Sequence, residues 1–153
     1  MCRALCFCVN KRHADFMAEQ LSLYGFNAQS LTSDTPSDKR KQLAKELREG
    51  AIHYLCVVDI FNEGVDIPEV DTVLFLRPTE SLTIFLQQLG RGLRLSVGKT
   101  ELTVLDFVAQ SNRKYDFASR FRALMLNPEK NIVKQIKDGF TLLPSGCSIV
   151  MEK

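Results

Sequence analysis

Short apolar runs alternating with amphipathic stretches make this chain an α/β protein. The expected architecture has three layers, with a mostly parallel sheet of five or six strands between helices on both faces. Three observations predict it. Five runs are of strand length, and the first, Ala4 to Val9, is continuously apolar, the pattern of a strand covered on both sides. Between them lie stretches of helical period. Several boundaries carry helix punctuation, such as Asn10, Pro36, Gly25 and Gly50.

Ala4 to Val9 reads as the first strand and ends at Asn10, a natural helix N-cap. The helix that follows sets Ala14, Met17, Ala18, Leu21 and Tyr24 on one face and stops at Gly25. Phe26 to Leu31 is the second strand. Thr35 then reads as a cap, with Pro36 at the first helical position and Asp38 closing a box-like pair. That helix runs through Leu43 and Leu47 to Gly50. Tyr54 to Val58 and Thr72 to Leu76 are the third and fourth strands. A helix from Ser81 carries Leu82, Phe85, Leu86 and Leu89. Leu102 to Asp106 is the fifth strand, and Arg113 to Leu126 closes the pattern. Residues 127–153 are less regular, with a short helix from Glu129 to Lys137 and a turn at Pro144-Ser145-Gly146.

Composition bounds the function. At 153 residues the chain suits one domain with a modest appendage. No apolar run approaches the roughly 20 residues that span a bilayer, which argues against a membrane partner. The opening residues lack a cleavage signal, and a strand that begins so early reads as a domain taken from a longer protein. A net charge of +2 is far from that of a protein holding DNA by charge alone, so any nucleic-acid contact is expected to be local. Cys2, Cys6, Cys8, Cys56 and Cys147 include no C-x-x-C pair, and neither His13 nor His53 completes a zinc spacing. They read as small hydrophobes in a reducing, cytoplasmic setting, with no metal site.

In an open parallel sheet, ligands collect beyond the carboxyl ends of the strands. That directs attention to Asn10-Lys11, Thr32-Ser33, Asp59 to Pro68 and Arg77 to Thr79. The most informative segment is Gln87-Gln88-Leu89-Gly90-Arg91-Gly92-Leu93-Arg94. Carried on a helix, Gln87, Arg91 and Arg94 share a face about 140° from the Leu82/Phe85/Leu86/Leu89 stripe. Two guanidiniums on one face suit phosphoryl transfer, where a positioned arginine stabilises charge developing on the phosphoryl oxygens. On these eight residues alone, two solvated surface arginines explain the pattern equally well.

The acidic, glycine-containing loop from Asp59 to Asp71 shifts that balance. NEGVDIPEVDTVLFLRP followed by QQLGRGLR resembles motifs V and VI of the superfamily 2 helicase C-terminal domain, the second of its two RecA-like domains. CFCVNKRHADFMAEQL resembles motif IV, and LTSDTPSDKRKQLAKELREG is similar to the family's next strand-loop-helix. The likeness covers about residues 3–120, in order, and motif VI matches Q-x-x-G-R-x-x-R at every fixed position.

The resemblance implies roles residue by residue. Arg91 and Arg94 are the arginine fingers that reach ATP held by a partner domain, and Gln87 helps order them. Glu63, Gly64 and Asp66 belong to the nucleotide-sensing loop, Asp66 near the ribose. Asp59, Ile60 and Asn62 couple nucleotide state to the nucleic-acid backbone. Asn10, Lys11, Thr32 and Ser33 stand where the family contacts phosphates, contacts that position a strand without reading its sequence. Thr32 and Ser33 serve equally well as turn residues. In the basic helix of Lys39, Arg40, Lys41, Lys45 and Arg48, a solvated face is the simpler reading, and Arg40 is kept as a nucleic-acid contact. Motif VI opens on Gln rather than the His of DEAD-box RNA helicases. Asn62-Glu63 and the tail GFTLLPSGCSIV look most like bacterial DNA helicases related to restriction-enzyme motor subunits.

Val97-Gly98-Lys99-Thr100 imitates a phosphate loop, but the first glycine of that pattern falls at position 93, which is Leu93. A turn before the fifth strand is the expected reading. Gly90-Arg91-Gly92 fails as a dinucleotide fingerprint, because Leu95 stands at the third glycine. The expectation is therefore a motor domain over residues 1–126, with an accessory extension over 127–153. ATP with Mg²⁺ would be held mainly by an N-terminal RecA-like domain of the same protein, on DNA in preference to RNA. The fragment alone is expected to be inactive. The alternative is a non-catalytic nucleic-acid or protein-binding module that keeps the fold; the complete set of Gln87, Arg91 and Arg94 argues against it.

Overall fold

The computed structural model describes residues 2–58, 67–77 and 96–107, and these carry every structural statement below. They form strand β1 (Ala4–Phe7), helix α1 (Lys11–Leu23), β2 (Ala28–Leu31), α2 (Ser37–Glu49), β3 (Tyr54–Val57), β4 (Thr72–Phe75) and β5 (Thr103–Asp106). The sheet order is β2-β3-β1-β4-β5, and every neighbouring pair is parallel. All five strands therefore point their carboxyl ends to one edge.

Side-chain alternation divides the core in two. Leu5, Phe7, Leu31, Leu55, Val57, Val73 and Phe75 face one side and pack with Leu43 and Leu47 of α2. Ala4, Cys6, Cys8, Ala28 and Cys56 face the other and pack with Ala14 and Ala18 of α1. The two helices thus cover opposite faces, giving the three layers expected. Small residues on both sides of the second interface let α1 lie close to the strands. Phe7 and Phe75, paired in register between β1 and β4, stack with ring centroids 5.6 Å apart. Truncating a side chain as enclosed as Leu43, Leu47 or Leu55 would cost about 2–5 kcal/mol.

Both helices end in a left-handed glycine, Gly25 at φ 86° and Gly50 at φ 78°. Around Gly25 the Phe26 N–H reaches the Leu21 carbonyl and the Gly25 N–H reaches that of Ser22, each at 3.0 Å, which satisfies the last turn of α1.

Four local expectations are corrected. Thr35 does not cap α2: Pro36 holds the N-cap position, and no side chain bonds the first turn. The Thr35 hydroxyl is taken by the Thr32 N–H at 3.0 Å, a local turn that outcompetes the helix end. Tyr24 leaves the buried stripe of α1, because it is the C-cap residue where the chain turns, and it is 79% exposed. The first strand stops at Phe7, since the Val9 N–H turns from the sheet to Nδ1 of His13 at 3.2 Å. The fifth strand, part of a sheet expected to be covered on both faces, is exposed along its length at the sheet edge.

Cys6, Cys8 and Cys56 are fully buried and reduced, as expected of small core residues, and Cys2 is half-buried. Among the described residues, no helix is long and apolar enough to cross a membrane and no side-chain cluster could hold a metal ion. Val97-Gly98-Lys99-Thr100 forms the expected turn. Lys99 N–H returns to the Ser96 carbonyl at 3.2 Å, and its ammonium donates to the Pro68 carbonyl at 3.2 Å. It lies at the amino end of β5, the opposite edge from the loops considered next.

Candidate nucleic-acid interface

Beyond the carboxyl ends of β1 and β2, two loops meet although β3 separates their strands. The first is Cys8 to Lys11. Asn10 is extended (φ −156°, ψ 175°), and its Oδ1 accepts the His13 N–H at 2.9 Å, capping α1. Its carbonyl takes the Ala14 N–H at 3.0 Å. Lys11, the first residue of α1, is thereby fixed at its backbone while its side chain remains exposed.

The second loop is Thr32 to Pro36. Thr35 N–H donates to the Thr32 carbonyl at 3.1 Å, and Asp34 N–H donates to the Thr32 hydroxyl at 3.3 Å. Thr32 is 7% exposed and serves as a turn residue, while Ser33 and Asp34 project outward. Arg40, from the first turns of α2, braces the loop from beneath. Its Nε donates to the Thr35 carbonyl at 2.7 Å, and Nη2 donates to the Ser33 carbonyl at 2.8 Å. A planar guanidinium suits that double grip.

The loops are joined by an ion pair, Lys11 Nζ to Asp34 Oδ1 at 2.6 Å. The Lys11 ammonium, by hydrogen bond and by charge, holds the Asp34 carboxyl below its ordinary value. Asn10, Lys11, Thr32 and Ser33 share one edge of the sheet, and Arg40, singled out from the basic helix, reaches the second of these loops. Asp34 was not anticipated. A Ser/Thr/Asp cluster signals a turn, but a pair 23 residues apart becomes legible only once both loops are in place.

The remaining candidates lie outside the described residues. They are Asp59, Ile60, Asn62, Glu63, Gly64 and Asp66 in the acidic loop, and Gln87, Arg91 and Arg94 on the expected helix. So do Cys147, the helices expected from Ser81, Arg113 and Glu129, and the extension over 127–153.

With this geometry in place, likeness to known proteins is decisive. Residues 2–96 match the model of the helicase conserved C-terminal domain. The chain belongs to that family. A Saccharomyces cerevisiae protein, IRC3, whose name carries the provisional description ATP-dependent helicase, is 34% identical over 108 residues, 71% of this chain and 16% of its own length. A 51.5 kDa protein of a Lactococcus phage is 31% identical over 102 residues, 67% of this chain and 23% of its own. The chain thus spans only a small part of the relatives it matches. Among solved structures, the E. coli DEAD-box protein SrmB superposes with a TM-score of 0.62 at 26% identity, covering 69% of this chain and 61% of that one. The Hef helicase domain of Pyrococcus furiosus gives a TM-score of 0.57 at 24% identity, covering 74% and 23%, and shares the fold. The helicase C-terminal domain has the RecA-like arrangement described above: a parallel five-stranded sheet with helices on both faces.

Proposed function

We propose that this helicase C-terminal domain is the second motor domain of an ATP-driven helicase or double-strand translocase, and that its β1 and β2 loops grip the strand backbone. The observation that supports this most directly is the meeting of Asn10, Lys11 and Ser33 at the carboxyl edge of a parallel sheet. Ligands of such sheets bind there. Backbone amides, hydroxyls and one ammonium are the chemistry that holds phosphates without reading bases.

In this reading the nucleotide sits in a cleft shared with an N-terminal RecA-like domain, which supplies the phosphate loop and the carboxylate for Mg²⁺. Glu63, Gly64 and Asp66 sense it. Closure brings Arg91 and Arg94 onto the γ-phosphate, with Gln87 ordering them, and opening after hydrolysis shifts the grip made through Asp59, Ile60 and Asn62. Residues 1–126 form the motor domain and 127–153 an accessory extension. Gln87 at the head of motif VI and Asn62-Glu63 favour DNA over RNA as the track, and the reduced buried thiols accord with a cytoplasmic setting.

The test joins a first motor domain in cis and measures nucleic-acid-stimulated ATP hydrolysis. Arg91→Ala and Arg94→Ala are each expected to lower the rate by about 10³-fold or more. The unjoined chain should hydrolyse nothing measurable. Full activity in both variants, or robust hydrolysis by the chain alone, overturns the assignment.

A further inference from the structure

The Lys11–Asp34 pair joins the two loops read above as a phosphate grip. Both partners are rooted in ordered backbone. Lys11 opens a helix capped by Asn10, and Asp34 is fixed through its own N–H to Thr32 and flanked by carbonyls that Arg40 grips. The pair, 2.6 Å apart, links the two loops. Both groups nevertheless face solvent, with 49% and 74% of the side chains exposed. An exposed pair of this kind is easily exchanged.

We propose that Asp34 is a built-in stand-in for the backbone phosphate: it occupies Lys11 while the loop is empty and must be displaced when a strand binds. The inference rests on the reading of these loops as a phosphate grip and adds a residue to it. Displacement exchanges one anion for another at the same ammonium, so the strand gains less from Lys11 than a free lysine would give. The carboxylate, left facing the phosphate, repels it as well. Asp34 thereby keeps the grip weak, which suits a domain that must release and re-take its track at each cycle. Salt screens an exposed pair, so the restraint is largest at low ionic strength.

The test measures binding of the 153-residue chain to a fluorescein-labelled oligodeoxythymidylate by anisotropy across a salt series. Asp34→Asn keeps the shape and the backbone bonds of the loop, and circular dichroism checks that the fold is retained. It is expected to tighten binding about two- to fivefold at low salt, with the gain fading as salt rises. In a Lys11→Met background the same substitution should lose most of its effect. Glu19→Gln, which removes an exposed carboxylate further along α1, should change little.

Three results overturn the proposal while leaving the phosphate grip standing. Lys11→Met weakens binding but Asp34→Asn does not tighten it; or Asp34→Asn gains equally without Lys11; or Glu19→Gln gains as much. If Lys11→Met leaves affinity unchanged, or neither the parent nor Asp34→Asn binds, the grip itself is wrong and the stand-in falls with it.

Discussion

Asn10 Oδ1 accepts the backbone N–H of His13 at 2.9 Å, so a residue expected to touch phosphate already holds a structural post. The two roles separate by substitution. Asn10→Ala should cost about 1 kcal/mol of stability in a urea titration, the usual effect of losing a cap. Asn10→Asp keeps a capping oxygen and should unfold near the parent midpoint, yet bind an oligonucleotide more weakly because it adds a negative charge beside Lys11. If the aspartate variant is as unstable as the alanine one, the cap is not what the side chain contributes. If it binds like the parent, Asn10 lies away from the strand.

Arg40 is predicted to act on nucleic acid through the loop it braces. Replacing it with Leu removes donors to the Thr35 and Ser33 carbonyls and should cost about 1–2 kcal/mol. Arg40→Lys keeps the charge but cannot reproduce the planar fork, so it should recover only part of the loss. Hydrogen exchange of the Asp34 and Thr35 amides, both bonded to Thr32, reports the loop directly. These amides should exchange faster in both variants. Unchanged exchange, with stability intact in Arg40→Lys, would show that the guanidinium does not order the loop.

What could be read in advance, and what could not, divides along range of interaction. The first strand from Ala4, the Asn10 cap and the stops at Gly25 and Gly50 are local signals, and each appears where the pattern placed it. Thr35 misled because its hydroxyl had two legitimate uses, and the turn back to Thr32 won over the helix end. Tyr24 misled because helical period says nothing about where the last turn unwinds. The Lys11–Asp34 pair was out of reach altogether, since it depends on β3 lying between β2 and β1.

Lys99 offers a control on the nucleotide site. It looks like a phosphate-loop lysine, yet its ammonium donates to the Pro68 carbonyl at the amino end of the sheet. In the protein with a first motor domain joined in cis, Lys99→Met should leave ATP affinity and hydrolysis near the parent values. Stability should also move little. The variant loses the bond to Pro68 but removes an ammonium whose pKa is pushed down by burial against the pull of Asp71 and Glu69. A large loss of ATP affinity would restore the phosphate-loop reading of Gly98-Lys99-Thr100.

The buried thiols set the response to alkali. The Cys8 thiol is raised far above its ordinary 9.0 by the neighbouring Cys56 thiol and by burial. That of Cys56 is raised by the neighbouring Cys6 thiol and by burial, against an opposing pull from the Cys8 thiol. A raised thiol stays protonated in the fold while the unfolded chain releases its proton above 9.0. The unfolded state then binds fewer protons, and stability falls as pH rises. Each thiol contributes a slope of about 1.4 kcal/mol per pH unit once the pH is well above 9.0. Lys99 works the other way, because its lowered pKa leaves the unfolded chain holding more protons below 10.5, but it is one partly exposed group. Tyr54, raised above its ordinary 10.0 mainly by burial, adds to the fall with the two thiols. Urea titrations from pH 8 to pH 10.5 should therefore show a falling midpoint above pH 9. Cys8→Ala should flatten that fall while costing some stability at neutral pH through the lost sulfur contacts. A midpoint that holds level through this range, or a fall that persists unchanged in both Cys8→Ala and Cys56→Ala, would place the alkaline response on other groups.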